Sequence, residues 1–228
     1  MQVKKLDNYG RGITYYKDKI MFINNALPDE EISIKDITNK NKFYESEVDK
    51  IIKESPSRVV PKCPYYNVCG GCNIMHMNDS LQRDFKNDKV SEILKKYSNL
   101  DVEIRLIEND RQLFYRNKIT LKIKDTKWGY YNSKTHNLCE INSCLIANNE
   151  INNMISNHEF INIKNGEIIL RTNQDKEILI AIKTKEEINL EKELIPDNIK
   201  GIILNDKIIY KDNFFYDYIG NYKFKISY

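Results

Sequence analysis

The chain has 228 residues, with 36 Lys and Arg against 33 Asp and Glu and only five cysteines. That is enough mass to bury a core, as one large domain or two small ones. No apolar run is long enough for a signal peptide or a membrane span, so the expectation is a cytoplasmic monomer without a membrane partner, where disulfides rarely persist. The charge is unevenly spread: residues 1–60 hold 11 basic and 10 acidic side chains, residues 61–135 hold 14 and 9, and residues 136–228 hold 11 and 14. A basic middle suits a polyanionic partner, although a solvated surface is the plainer reading of charge alone.

Residues 1–60 read as short strands. Arg11–Tyr16 and Lys19–Asn24 flank Lys17-Asp18, a hairpin turn. Glu31–Lys35 alternates polar and apolar, and Tyr44–Ile52 has one apolar face. With Asn25–Asp29 as a loop and no helical period, this texture predicts a small barrel. A helix is predicted next, with Leu81, Phe85, Val90, Ile93, Leu94 and Tyr97 near helical spacing and Asn78, Asp79 and Ser80 as cap candidates. Strands follow at Val102–Ile107 and Ile119–Lys124, a second helix over Ile146–Phe160, and strands at Glu167–Thr172, Glu177–Lys183, Ile199–Leu204 and Tyr222–Ile226. The fold class expected is α+β, divided as 1–60, a cysteine segment with its helix at 61–100, and an α+β domain at 101–228.

Three of the five cysteines fall in Cys63-Pro-Tyr-Tyr-Asn-Val-Cys69-Gly-Gly-Cys72. An odd cysteine count argues against a disulfide framework. Structural zinc sites usually present two separated Cys-x2–4-Cys pairs, whereas gaps of five and two with one ligand elsewhere suit a [4Fe–4S] cube, which takes one thiolate per iron. Gly70 and Gly71 are expected to let the backbone fold tightly around a bulky cluster, since glycine accepts positive φ, and to bring N–H groups near its inorganic sulfurs. Spacing leaves the fourth ligand open between Cys139 and Cys144, and leaves open a zinc knuckle or reduced buried thiols.

At these residues the chain resembles the RNA (uracil-5-)-methyltransferases that act on ribosomal and transfer RNA. Cys63, then Cys69-Gly70-Gly71-Cys72, His76 and Gln82 stand in the order of their cluster motif, with Met75 and Asp79 in place of the usual Gln and Tyr. Tyr115-Arg116-Asn117-Lys118 resembles a second motif, and Gly129-Tyr130-Tyr131 with His136 and Ile141–Cys144 a third. The resemblance implies that Cys144 is the fourth ligand and that residues 1–60 are a TRAM domain, an OB-like RNA-binding barrel with Gly10-Arg11-Gly12-Ile13 and Asn25–Pro28 at its landmarks. It also implies an RNA partner, rRNA or tRNA. Arg116, Asn117 and Lys118 are the expected RNA contacts, with Phe114 and Tyr115 beside them, and Arg11 and His76 are candidates for the same role. His136 is expected to support packing, His158 to lie on the surface and Trp128 in the core.

The family's catalysis requires S-adenosylmethionine in a glycine-rich loop and a nucleophilic cysteine in a Ser-Cys-Asn-Pro-like motif. None of the eight glycines forms a G-x-G-x-x-G, and no cysteine follows Cys144. The expectation is an N-terminal portion without the methyltransferase domain and without catalytic residues, inactive alone. The alternative is a stand-alone RNA-binding module whose cluster is structural or redox-sensing.

Overall fold

The computed structural model describes residues 1–107 and 111–228. They form two compact units, Met1–Tyr66 with Cys72–Glu108, and Asn67–Gly71 with Asn109–Tyr228.

The first unit contains β1 (Lys5–Leu6), β2 (Gly12–Tyr16), β3 (Lys19–Asn24), β4 (Glu31–Asn39) and β5 (Tyr44–Lys53), arranged in one sheet in the order β1-β2-β3-β5-β4. Lys17 and Asp18 both take positive φ, at 46° and 62°, and close the β2–β3 hairpin as expected. The β3–β5 pair is parallel. Alternation along the strands sends Met21, Ile23 and Ile32 inward, where they pack with Val3 and Ala26. Helix α1 (Asp79–Ser98) follows, within a residue of its predicted span. None of its residues is buried, and Val90, Ile93 and Tyr97 are exposed. Residues 101–107 form no strand, which corrects the expectation for Val102–Ile107; Ile107 is 94% exposed, and its apolar side chain has no second strand to pack on.

The second unit is built on β6 (Lys118–Lys124), β7 (Lys127–Tyr131), β8 (Leu138–Glu140), β9 (Asn165–Thr172), β10 (Ile178–Lys183), β11 (Ile199–Leu204) and β12 (Lys207–Lys211). Their order is β12-β11-β10-β9-β6-β7-β8. The strand Ile178–Ile182 is buried throughout, which is why it reads as an unbroken apolar run; it pairs antiparallel with β9 and parallel with β11. Two further hairpins turn on Asp125-Thr126 and Asn205-Asp206, each with both residues at positive φ. Helix α2 (Asn149–Ser156) is shorter than the predicted 146–160, because Asn148 caps it late and Asn157 closes it early. A two-stranded ribbon, β13 (Phe214–Ile219) and β14 (Tyr222–Ser227), completes the unit. The mixed sheets and two helices make an α+β fold. Among the described residues no helix is long and apolar enough to cross a membrane.

Candidate functional site

Asn67–Gly71 belongs to the second unit although the residues on either side belong to the first. Within that unit Cys69 forms a β-bridge with Asn132, and the Gly70 N–H donates to the Tyr131 carbonyl at 3.1 Å. A Cβ on Gly70 would stand 2.7 Å from that same carbonyl oxygen. Neither Gly70 nor Gly71 has positive φ, so the glycine is required by close approach of two backbones, not by a left-handed turn. The Gly71 N–H donates to the Cys69 sulfur, 3.3 Å away.

Cys63, Cys69, Cys72 and Cys144 are each partly exposed, whereas Cys139 is buried in β8. No disulfide joins any of the five, and among the described residues no group of three or more His, Cys, Asp or Glu side chains is gathered as a metal site. Cys63 and Cys72 belong to the first unit, and Cys69 and Cys144 to the second.

Both helices begin with the same device. Asn78 accepts the Leu81 N–H at 2.9 Å, and Gln82 donates back to the Met77 carbonyl at 2.9 Å. Asn148 accepts the Ile151 N–H at 3.1 Å, and Asn152 donates back to the Ala147 carbonyl at 3.0 Å. The residue before each cap bridges an extended segment at an arginine, Met77 at Arg58 and Ala147 at Arg116. Asn152 also brackets Cys144, accepting its N–H at 2.7 Å and donating to its carbonyl at 3.1 Å. The backbone at Cys144 is therefore fixed on both sides. The shared signal in the sequence is an Asn followed four residues later by a side-chain amide.

His76 is 2% exposed, which removes it from the candidate RNA contacts and leaves the hydrogen-bonding role. The Tyr66 hydroxyl lies 2.8 Å from the Asn73 carbonyl and 2.6 Å from His76 Nδ1. Because a carbonyl can only accept, the hydroxyl donates to Asn73, and Nδ1–H donates to the hydroxyl. That leaves Nε2 as a buried lone pair with no partner. Burial, reinforced by Arg58, pushes the His76 pKa down to about 4, and burial pushes Tyr66 up to about 12. A neutral imidazole in the fold that charges once released gives stability that is complete above pH 6.5 and is lost as pH falls to about 4. We expect urea unfolding to show a loss of about 3 kcal/mol across that window. The variant His76→Asn should flatten the pH dependence.

Arg11 is half-buried and held within the first unit. Its Nε lies 2.7 Å from Asp7 and its Nη1 3.0 Å from Glu45, with the guanidinium over the Phe22 ring. Two carboxylates already neutralise it. Arg116, Asn117 and Lys118 are exposed, as are Phe114 and Tyr115, while the backbone beneath them is pinned. The Arg116 N–H donates to Ile146, the Arg116 carbonyl accepts from Asn148, and the Asn117 carbonyl accepts from Thr172. Neither cation has a carboxylate partner among the described residues. His136 is exposed at positive φ, edge-on to Tyr131. His158 is half-buried and stacks on the buried Trp128 with ring centroids 4.1 Å apart, which corrects its surface assignment.

No protein-family profile matches the chain. The 23S rRNA (uracil(1939)-C(5))-methyltransferase RlmD of Vibrio parahaemolyticus is 30% identical to it over 67% of this chain and 36% of that protein. An uncharacterized RNA methyltransferase of Clostridium acetobutylicum is 29% identical, over 96% and 57%. In structure the chain is similar to the Pyrococcus abyssi tRNA (uracil-54, C5)-methyltransferase, solved in complex with S-adenosyl-L-homocysteine, with a TM-score of 0.72 at 19% identity, covering 99% of this chain and 58% of that one. The chain thus spans between about a third and somewhat over half of the length of the proteins it matches. With these relatives, the chain belongs to the RNA (uracil-5-)-methyltransferase family.

Proposed function

We propose that these 228 residues are the RNA-binding, [4Fe–4S]-carrying portion of an S-adenosylmethionine-dependent enzyme that methylates uracil C5 in rRNA or tRNA in the cytoplasm. Residues 1–60 serve as a TRAM-like barrel, 61–100 as the iron–sulfur segment and 101–228 as the central RNA-binding domain. The observation that carries the reading is the run Phe114–Lys118, aromatic and cationic, exposed above a pinned backbone at the head of β6, in a chain whose relatives are named for acting on uracil in RNA. Cations there meet phosphate and rings stack on unpaired bases. S-adenosylmethionine supplies the methyl group in such enzymes. The 228 residues offer it no glycine-rich cradle and no nucleophilic cysteine beyond Cys144, so they bind and orient RNA without methylating it by themselves.

The test is RNA binding by the 228-residue chain. Arg116→Ala with Lys118→Ala is expected to weaken binding to a uridine-containing RNA about tenfold at low salt and to make the salt dependence shallower by about 1.4, or 0.7 for each lost phosphate contact on a single strand. A wild-type chain with no measurable affinity for rRNA or tRNA fragments would sink the reading.

Cys63, Cys69, Cys72 and Cys144 are the residues that would hold the cluster. Anaerobic purification should yield about four irons per chain. Cys144→Ala should lose them, and Cys139→Ala, which alters a thiol buried in β8, should keep them. Stoichiometric zinc without iron or sulfide overturns the assignment, and so does the reverse pattern of the two variants.

A further inference from the structure

We infer that the outer face of the β13–β14 ribbon is a second RNA contact, a stacking platform for single-stranded RNA; this rests on the RNA-binding reading above. In the register of the ribbon, Tyr216 lies opposite Lys225 and Tyr218 opposite Lys223. Side chains alternate along each strand, so Phe214, Tyr216 and Tyr218 share one face with Lys223, Lys225 and Ser227. The opposite face carries Phe215, which is fully buried and anchors the base of the ribbon, while Ile219, Tyr222 and Phe224 on that face are exposed towards the turn.

On the outer face the residues interleave. Lys223 Nζ stands 3.9 Å from the centroid of the Tyr216 ring and Lys225 Nζ 3.9 Å from that of Phe214, and the Phe214 and Tyr216 rings meet edge to face. Tyr216 and Tyr218 remain 41% and 40% exposed. The face holds two cations and no carboxylate, and its charge is complementary to a phosphate backbone. Alternate residues of a strand are roughly 6.5–7 Å apart, so each ring can accept its own unstacked base while a neighbouring lysine reaches the phosphate.

A platform must be held rigid, and this one is. Asn173, itself 7% exposed, donates to the Tyr216 carbonyl at 2.8 Å. Gln174 donates to the Tyr218 carbonyl at 2.7 Å, and Arg171 to the Ser227 carbonyl at 2.8 Å. Two of these anchors hold β13 and one holds β14.

The experiment measures fluorescence anisotropy of the 228-residue chain with a labelled short oligouridine and with an RNA duplex of equal length. Tyr216→Ala with Tyr218→Ala should weaken oligouridine binding by at least about tenfold and duplex binding far less, while Tyr216→Phe with Tyr218→Phe stays within about twofold of wild type. Lys223→Gln with Lys225→Gln should lower the oligouridine salt slope by about 1.4. If the alanine pair fails to fold, the lysine pair, which removes no ring, decides the matter by its slope. Wild-type affinity in the folded alanine pair, or an unchanged slope in the lysine pair, overturns the platform and marks the ribbon as protein-facing. If the wild-type chain binds no RNA, the broader reading falls and the platform with it; if it binds and the variants match it, only the platform falls.

Discussion

Arg58→Ala is expected to destabilise the chain by about 3–5 kcal/mol, because it strips the counter-charge from a carboxylate that water cannot reach. Glu30 is 0% exposed. Arg58 meets it with Nε on one oxygen and Nη2 on the other, the latter at 2.9 Å, and Nη2 also donates to the Asn25 carbonyl at 2.6 Å. The Leu27 N–H donates to the same carboxylate at 2.8 Å. One ion pair therefore holds the Asn25–Glu30 loop, with buried Ala26 and Leu27, against the segment leading to the first cysteine. Removing the arginine costs more than the pair contributes, since the stranded charge has no compensation. The double variant Glu30→Gln, Arg58→Met leaves no buried charge and keeps an acceptor for Leu27. It should recover a large part of the loss in urea titrations; equal instability of the single and double variants would show that packing, not charge, sets the cost.

Gly201→Ala should be at least as damaging, by about 3 kcal/mol or more. Gly201 lies in β11 beside Leu179 of β10 and Lys211 of β12. A Cβ there would sit 1.5 Å from the Asp212 carbonyl oxygen and 2.6 Å from its carbon, both backbone atoms. A flexible side chain could swing aside, but these are backbone atoms of a residue whose own N–H donates to the Lys200 carbonyl at 3.1 Å. Gly220 supplies the control. It has positive φ, 57°, but nothing within 4 Å of its would-be Cβ, so Gly220→Ala meets only torsional strain, about 1–2 kcal/mol. If the two alanine variants melt together, the close approach at Gly201 is not a constraint.

Much of this architecture was legible because local chemistry and tertiary context agree. Asn78, one of the cap candidates, caps the predicted helix, and the strand expected at Glu177–Lys183 forms over Ile178–Lys183. The misses have common causes. The strands β7 and β12 were not anticipated; each follows a two-residue turn, Asp125-Thr126 and Asn205-Asp206, with both residues at positive φ. Val102–Ile107 alternates as a strand should but finds no neighbour to pair with. In the candidate site, residue type suggested a role for His76 that burial reassigned: the imidazole suits RNA, yet it is sealed beneath Tyr66. Exposure cannot be read from a motif. The fixing of Cys144 by Asn152 was invisible for a different reason, since a hydrogen bond from a side-chain amide to a backbone eight residues back leaves no periodic trace.

The five-residue excursion Asn67–Gly71 has a consequence in time. Its partners, Tyr131 and Asn132, are made well after it, so on a ribosome synthesising from the N-terminus Cys69 has nowhere to dock while the first sheet is already complete. Closing a contact over that stretch of chain is also entropically slow. Through this interval the Asn67–Gly71 backbone lacks its hydrogen-bond partner, and it gains one only when β7 has emerged.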